Sequence, residues 1–119
     1  MPVIRTENML SGEPVAGWSG RFFHSENMTF GYWDVAADAA DLHVHAHPQE
    51  EVFHIVEGAL VVSVDGEESR VESGEAVVIP ADVPHSARVV GACRAIVADY
   101  PVRHILPGGP PSSSELGLS

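Results

Sequence analysis

Turn signals cut this sequence into short pieces. Gly58, Asp65-Gly66, Ser73-Gly74, Pro80, Pro84 and Gly91 separate short runs rich in apolar and β-branched residues. Asp65-Gly66 is a strong hairpin signal, because a two-residue type I′ turn needs positive φ at both positions and Asp-Gly accepts that. No run carries a long helical period. Residues 36–41 (AADAAD) are enough for one helical turn and too few to stand alone, so a loop is expected there. Many short strands without a long helix indicate an all-β sandwich or barrel.

Read in order, residues 1–20 form an arm with one or two short strands, broken by Pro2, Gly12, Pro14, Gly17 and Gly20. Trp18 is read there as a core anchor. Residues 21–35 hold two strands with a turn near Ser25-Glu26-Asn27. Further strands are expected over 42–47, 52–57, 60–64, 69–71, 76–79, 85–90 and 93–100. Residues 107–119 (PGGPPSSSELGLS) have linker composition, and packing on the barrel or a neighbouring subunit is expected to hold them. The organisation is one domain over 1–119, with a core of about 21–100, an arm over 1–20 and a tail over 101–119.

Charge narrows the partners. The 119 residues carry 17 acidic and 6 basic side chains, a net charge of −11, and every basic residue is arginine. No basic stripe exists to hold nucleic acid or an anionic membrane, so neither is an expected partner. Cys93 is the single cysteine, which excludes an internal disulfide and reads as a small buried residue. No signal-peptide pattern and no membrane-length apolar run is visible, so a cytoplasmic location is the expectation.

Residues 43–58, HVHAHPQEEVFHIVEG, hold four of the seven histidines. Side chains alternate along a strand, so His43, His45 and His47 are expected on one face. His45, His47, Glu51 and the distant His85 are the candidate metal ligands. Three imidazoles and a carboxylate suit one divalent transition ion, Fe, Mn, Ni, Co, Cu or Zn, and differ from the oxygen cages of calcium and magnesium. Four protein ligands leave room on an octahedral ion for water or a substrate. His43 is a candidate catalytic group, with Tyr32 and Asp34 as further acid-base candidates. Phe53, Ile55, Ala87 and Val89 share parity with Glu51 or His85 and are expected to line the pocket. Glu50 and His54 have the opposite parity and are expected outside.

These spacings resemble the cupin superfamily. Its first motif runs glycine, five residues, His-x-His, three or four residues, glutamate, six residues, glycine. His45, His47, Glu51 and Gly58 fit it, while Ala39 stands where the leading glycine would be. In the second motif Gly74, Pro80 and His85 fit, Asp82 replaces a glycine and Val89 an asparagine. The resemblance covers about residues 41–89 and implies a double-stranded β-helix, a jelly-roll-like conical barrel of the single-domain bacterial type. It also implies a homodimer and a small-molecule substrate. The expected function is a small metalloenzyme acting on an oxygen-rich molecule, of dioxygenase, isomerase, cyclase or lyase type. The alternative is a non-catalytic ligand-binding or metal-sensing module.

Overall fold

The computed structural model describes residues 3–104. The tail expected to be held over 107–119 lies outside them. Ten strands follow one short 3-10 turn: β1 (Leu10–Val15), β2 (Trp18–His24), β3 (Thr29–Val35), β4 (Leu42–His45), β5 (Glu50–Glu57), β6 (Ala59–Val64), β7 (Glu67–Glu72), β8 (Ala76–Ile79), β9 (His85–Val89) and β10 (Cys93–Tyr100).

They form two antiparallel sheets. One has the order β1-β2-β3-β10-β5-β8, the other β4-β9-β6-β7. The two inner faces enclose the core, as in the expected double-stranded β-helix. Period-two burial is clear in β2, where Trp18, Gly20, Phe22 and His24 are buried. Their neighbours Ser19, Arg21 and Phe23 face outward. Ile55, Leu60 and Ile79 are wholly buried, each contributing about 1.5–3 kcal/mol of apolar burial. Trp18 packs edge-on against Trp33, and its indole N–H donates to the Ala40 carbonyl at 2.7 Å. Cys93 is buried, and burial pushes its thiol pKa up.

The turns follow the expected chemistry. Asp65 and Gly66 have φ of 53° and 83°, and β6 pairs with β7 across them. Gly58 sits at φ 82°, where an added Cβ would lie 2.4 Å from the Ala92 carbonyl oxygen. That position needs glycine for conformation and for space. Asp82 has φ 64°, so it adopts the left-handed conformation of the glycine it replaces in the motif. Aspartate tolerates that region better than most residues.

The outer face of the larger sheet is less polar than a solvated face normally is. Phe23 stacks on Phe30 and lies near Tyr32. Val52, Val78 and Ile96 continue the apolar surface, and Val78 is 56% exposed. No helix among the described residues is long and apolar enough to cross a membrane.

Candidate metal centre

Strict alternation fails in β4. Its register with β9 runs Leu42↔Ala87 and then His45↔His85, so β4 spends three residues where β9 spends two. This bulge turns Leu42 and His45 inward together and leaves His43 and Val44 exposed. The expected single face of His43, His45 and His47 is therefore corrected. His43 lines the mouth of the inner cavity and is not in the histidine cluster. His47 reaches the cluster from just beyond the end of β4.

The ring nitrogens of His45, His47 and His85 lie together. The His45 and His85 rings are 4.3 Å apart, His47 and His85 4.8 Å, and His45 and His47 5.6 Å. Each Nδ1 is fixed by the backbone. His45 Nδ1–H donates to the His43 carbonyl at 2.7 Å, His47 to Gln49 at 3.1 Å and His85 to Val83 at 2.8 Å. A carbonyl only accepts, so each Nδ1 carries the proton and each Nε2 is left with a lone pair when the ring is neutral. The loop before β9 holds His47 from the other side, where the Asp82 N–H donates to the His47 carbonyl at 2.8 Å.

Glu51 points at the same spot from β5. Its Oε1 lies 3.2 Å from His85 Nε2 and 3.6 Å from His47 Nε2. None of these three buried atoms has a hydrogen-bond partner. Lone pairs facing each other at such distances require a cation between them, a proton or a metal ion. This arrangement fits a transition metal on its donor set and on its orphaned atoms. Burial, the largest influence, pushes the Glu51 pKa up. The facing His47, His85 and Asp99 side chains and the Arg103 charge outweigh it, and Glu51 ends well below the usual carboxylate range. For His85, burial lowers the pKa, while Glu51 and the Val83 carbonyl raise it further, so the net shift is upward. His45 is shifted down, chiefly by burial.

Two further groups complete the site. Asp99 stands directly across the strand pair from Glu51 and is wholly buried, with both carboxylate oxygens unpartnered. Burial first, and Glu51 second, push its pKa up to about 9. Arg103 Nη1 donates to Glu51 Oε2 at 2.7 Å and lies 3.8 Å from Asp99. Its backbone is pinned on both sides. The Arg103 N–H donates to Thr29 Oγ1 and that hydroxyl donates to the Arg103 carbonyl, at 2.9 and 3.1 Å. Gln49 Nε2 donates to the Val102 carbonyl at 3.1 Å. The sequence reading missed both residues. Asp99 had a signal, as the last inward position of the alternation Cys93, Ala95, Val97. Arg103 had none, because it follows the last strand.

The cluster opens into a cavity of about 350 Å³. Its polar lining is Asp41, His43, His45, Glu51, Asp99 and Arg103. The remainder is chiefly apolar, with Val15, Trp18, Trp33, Leu42, Phe53 and Val97 as its main walls. Of the expected lining residues Phe53 is there, while Ile55 and Ala87 are buried in the core and Val89 packs against it. On β3 Trp33 faces inward. Tyr32 and Asp34 face the opposite side, where Asp34 pairs with Arg94 at 2.9 Å, so neither serves as an acid-base group in this cavity. Glu50 and His54 are exposed as expected. His24 is buried against Thr29 and packs edge-on to His104, outside the cluster.

Comparison with solved structures gives the same fold. An RmlC-like cupin from Shewanella frigidimarina matches with TM-score 0.76 at 22% identity, over 87% of this chain and 93% of that one. KdgF from Halomonas sp. matches with TM-score 0.76 at 20% identity, over 87% and 96%. Bacillus subtilis oxalate decarboxylase OxdC (an S161A mutant) matches with TM-score 0.71 at 16% identity, over 82% of this chain and 29% of that larger one. No curated protein matches the chain in sequence. The family model described as "Cupin domain" matches residues 31–99, which include the three histidines, Glu51 and Asp99, and the chain belongs to the cupin family.

Proposed function

We propose that this chain is a small metal-dependent enzyme in which His45, His47, Glu51 and His85 hold one divalent transition ion. The observation that carries this reading is the convergence of unpartnered Nε2 and Oε1 atoms, with each imidazole already locked by its Nδ1–H. Locking the distal nitrogen fixes the tautomer and aims the ligating lone pair. A bound ion would supply Lewis acidity to an oxygen of a small molecule held in the adjoining cavity. Purified protein is expected to carry close to one transition ion per chain. His85→Ala and His47→Ala are expected to lower that content at least tenfold in elemental analysis. Unchanged content in both variants overturns the assignment.

A non-catalytic binding role is the second reading. It draws support from Tyr32 and Asp34 facing away from the cavity, which leaves Asp41, His43 and Asp99 as the carboxyl and imidazole groups that line it outside the ligand set. On the other side, the fold is shared with an oxalate decarboxylase.

We also propose that two copies pair through the outer face of the larger sheet. Its apolar residues run across five strands, and the Arg94–Asp34 pair puts both signs of charge at their edge. A two-fold axis places one patch on its own copy. Sedimentation should give twice the 12.7 kDa chain mass, and Val78→Glu with Tyr32→Glu should halve it. A monomeric wild type refutes the pairing.

A further inference from the structure

We propose that the cavity takes a small organic anion with a compact apolar body, its charged head lying between Arg103 and the metal position. This deepens the metal-centre reading and rests on it.

The walls decide the body. Val15, Leu42, Phe53 and Val97 offer a ligand no hydrogen bond, the Trp18 indole N–H is already used by Ala40, and the Trp33 indole N–H is the one donor left among these walls. A hydroxyl buried against such walls without a partner loses about 1–3 kcal/mol. A polyhydroxylated body would incur that cost several times over. A flat aromatic or alicyclic body incurs none and stacks well among Trp18, Trp33 and Phe53. At about 350 Å³ the cavity is near the small end of ligand pockets, which run roughly 300–1,000 Å³. The walls thus favour a ligand whose oxygen atoms lie chiefly in its head.

Charge decides the head. The three imidazoles are neutral when they ligate, and Glu51 and Arg103 cancel. A divalent ion then adds two positive charges, and Asp99 offsets one at most. Asp41 also lines the cavity, but its carboxylate is taken up by the Val89 N–H, so the positive charge of the ion and of Arg103 is what meets the ligand's head, and it favours an anion. Arg103 is placed to receive one. Its backbone is fixed by Thr29 and Gln49 holds the preceding carbonyl, one guanidinium nitrogen is engaged by Glu51, and the side chain is 25% exposed and lines the cavity. Its remaining N–H groups form a planar fork suited to a carboxylate.

Both tryptophans of the chain line this cavity, so intrinsic fluorescence reads its occupancy. The test titrates zinc-loaded protein with benzoate, glucuronate and benzyl alcohol, with zinc content measured on the same samples. Benzoate is expected to bind saturably and at least tenfold more tightly than glucuronate, which shares its charge, and than benzyl alcohol, which shares its body. Arg103→Gln should weaken benzoate about ten- to hundredfold, the worth of a charge-assisted hydrogen bond. Val15→Phe fills the cavity without touching a ligand residue, and should abolish benzoate binding while leaving zinc in place. Glucuronate binding as tightly as benzoate, or benzoate affinity unchanged in both variants, overturns the ligand class. Wild-type protein that holds no zinc overturns the metal centre instead.

Discussion

Replacing Asp99 with asparagine should stabilise the metal-free protein, and increasingly so as pH rises. Asp99 is 0% exposed and neither oxygen has a partner. Burial and the facing Glu51 raise its pKa from 3.8 to about 9. Between those values the folded chain holds a proton that the unfolded chain has released, so folding stability falls as pH rises through the window. From pH 5 to pH 8 is three units, which at 1.36 kcal/mol each caps the loss at ~4 kcal/mol. Glu51 and Asp99 titrate as a pair with Arg103 beside them, so the loss belongs to the pair and should stay below that ceiling, on the order of 2 kcal/mol. Asparagine has the same shape and no proton to acquire. Urea denaturation of chelator-treated protein reads the difference. The advantage of Asp99→Asn over wild type should grow by about 1 M in urea midpoint between pH 5 and pH 8. A variant whose advantage is the same at both pH values, or which is less stable at both, would show Asp99 ionised and satisfied inside the barrel.

Three backbone positions give sharper, smaller tests. Gly58→Ala and Gly66→Ala share nearly the same positive φ, but the new Cβ meets the Ala92 carbonyl at 2.4 Å in the first and nothing within 4 Å in the second. Gly66→Ala should cost about 1 kcal/mol and Gly58→Ala at least ~2 kcal/mol more, read by thermal unfolding; equal costs would refute the close approach. Asp82→Gly should be neutral within about 0.5 kcal/mol, while Asp82→Val should cost about 1–2 kcal/mol through its left-handed φ. Because the Asp82 N–H holds the His47 carbonyl, Asp82→Val should also weaken metal retention in a chelator competition, and unchanged retention would show that His47 is positioned without that loop.

What could be read in advance follows from what sets each position. Strand runs and the Asp65-Gly66 hairpin are local, and both appear where the turn chemistry puts them. Asp82 shows why a motif departure at a turn left the loop intact: the conformation is kept by another residue that tolerates it. Alternation carried the reading of β5, where Glu51, Phe53 and Ile55 are buried and His54 is not. It failed in β4, because a bulge is a property of the strand pair and β9 lies forty residues away in the chain. His43 is exposed for that reason and lines the cavity beside the cluster. Asp99 obeyed the inward parity of β10 and was overlooked because a buried acid is rare without a partner. Arg103 obeyed no period, since Thr29, seventy-four residues earlier, holds it. The division has a functional sense. Glu51 and His85 keep the strand parity expected of them and His47 sits two residues past the end of β4, so the proposed ligands can be read from the motif. The residues that would choose the ion's guest are Arg103 and the tryptophan walls, and only tertiary contacts place them. Two cupins with the same four ligands can therefore differ completely in substrate, which is why the spacing identifies the family and the cavity, not the motif, supports a ligand class.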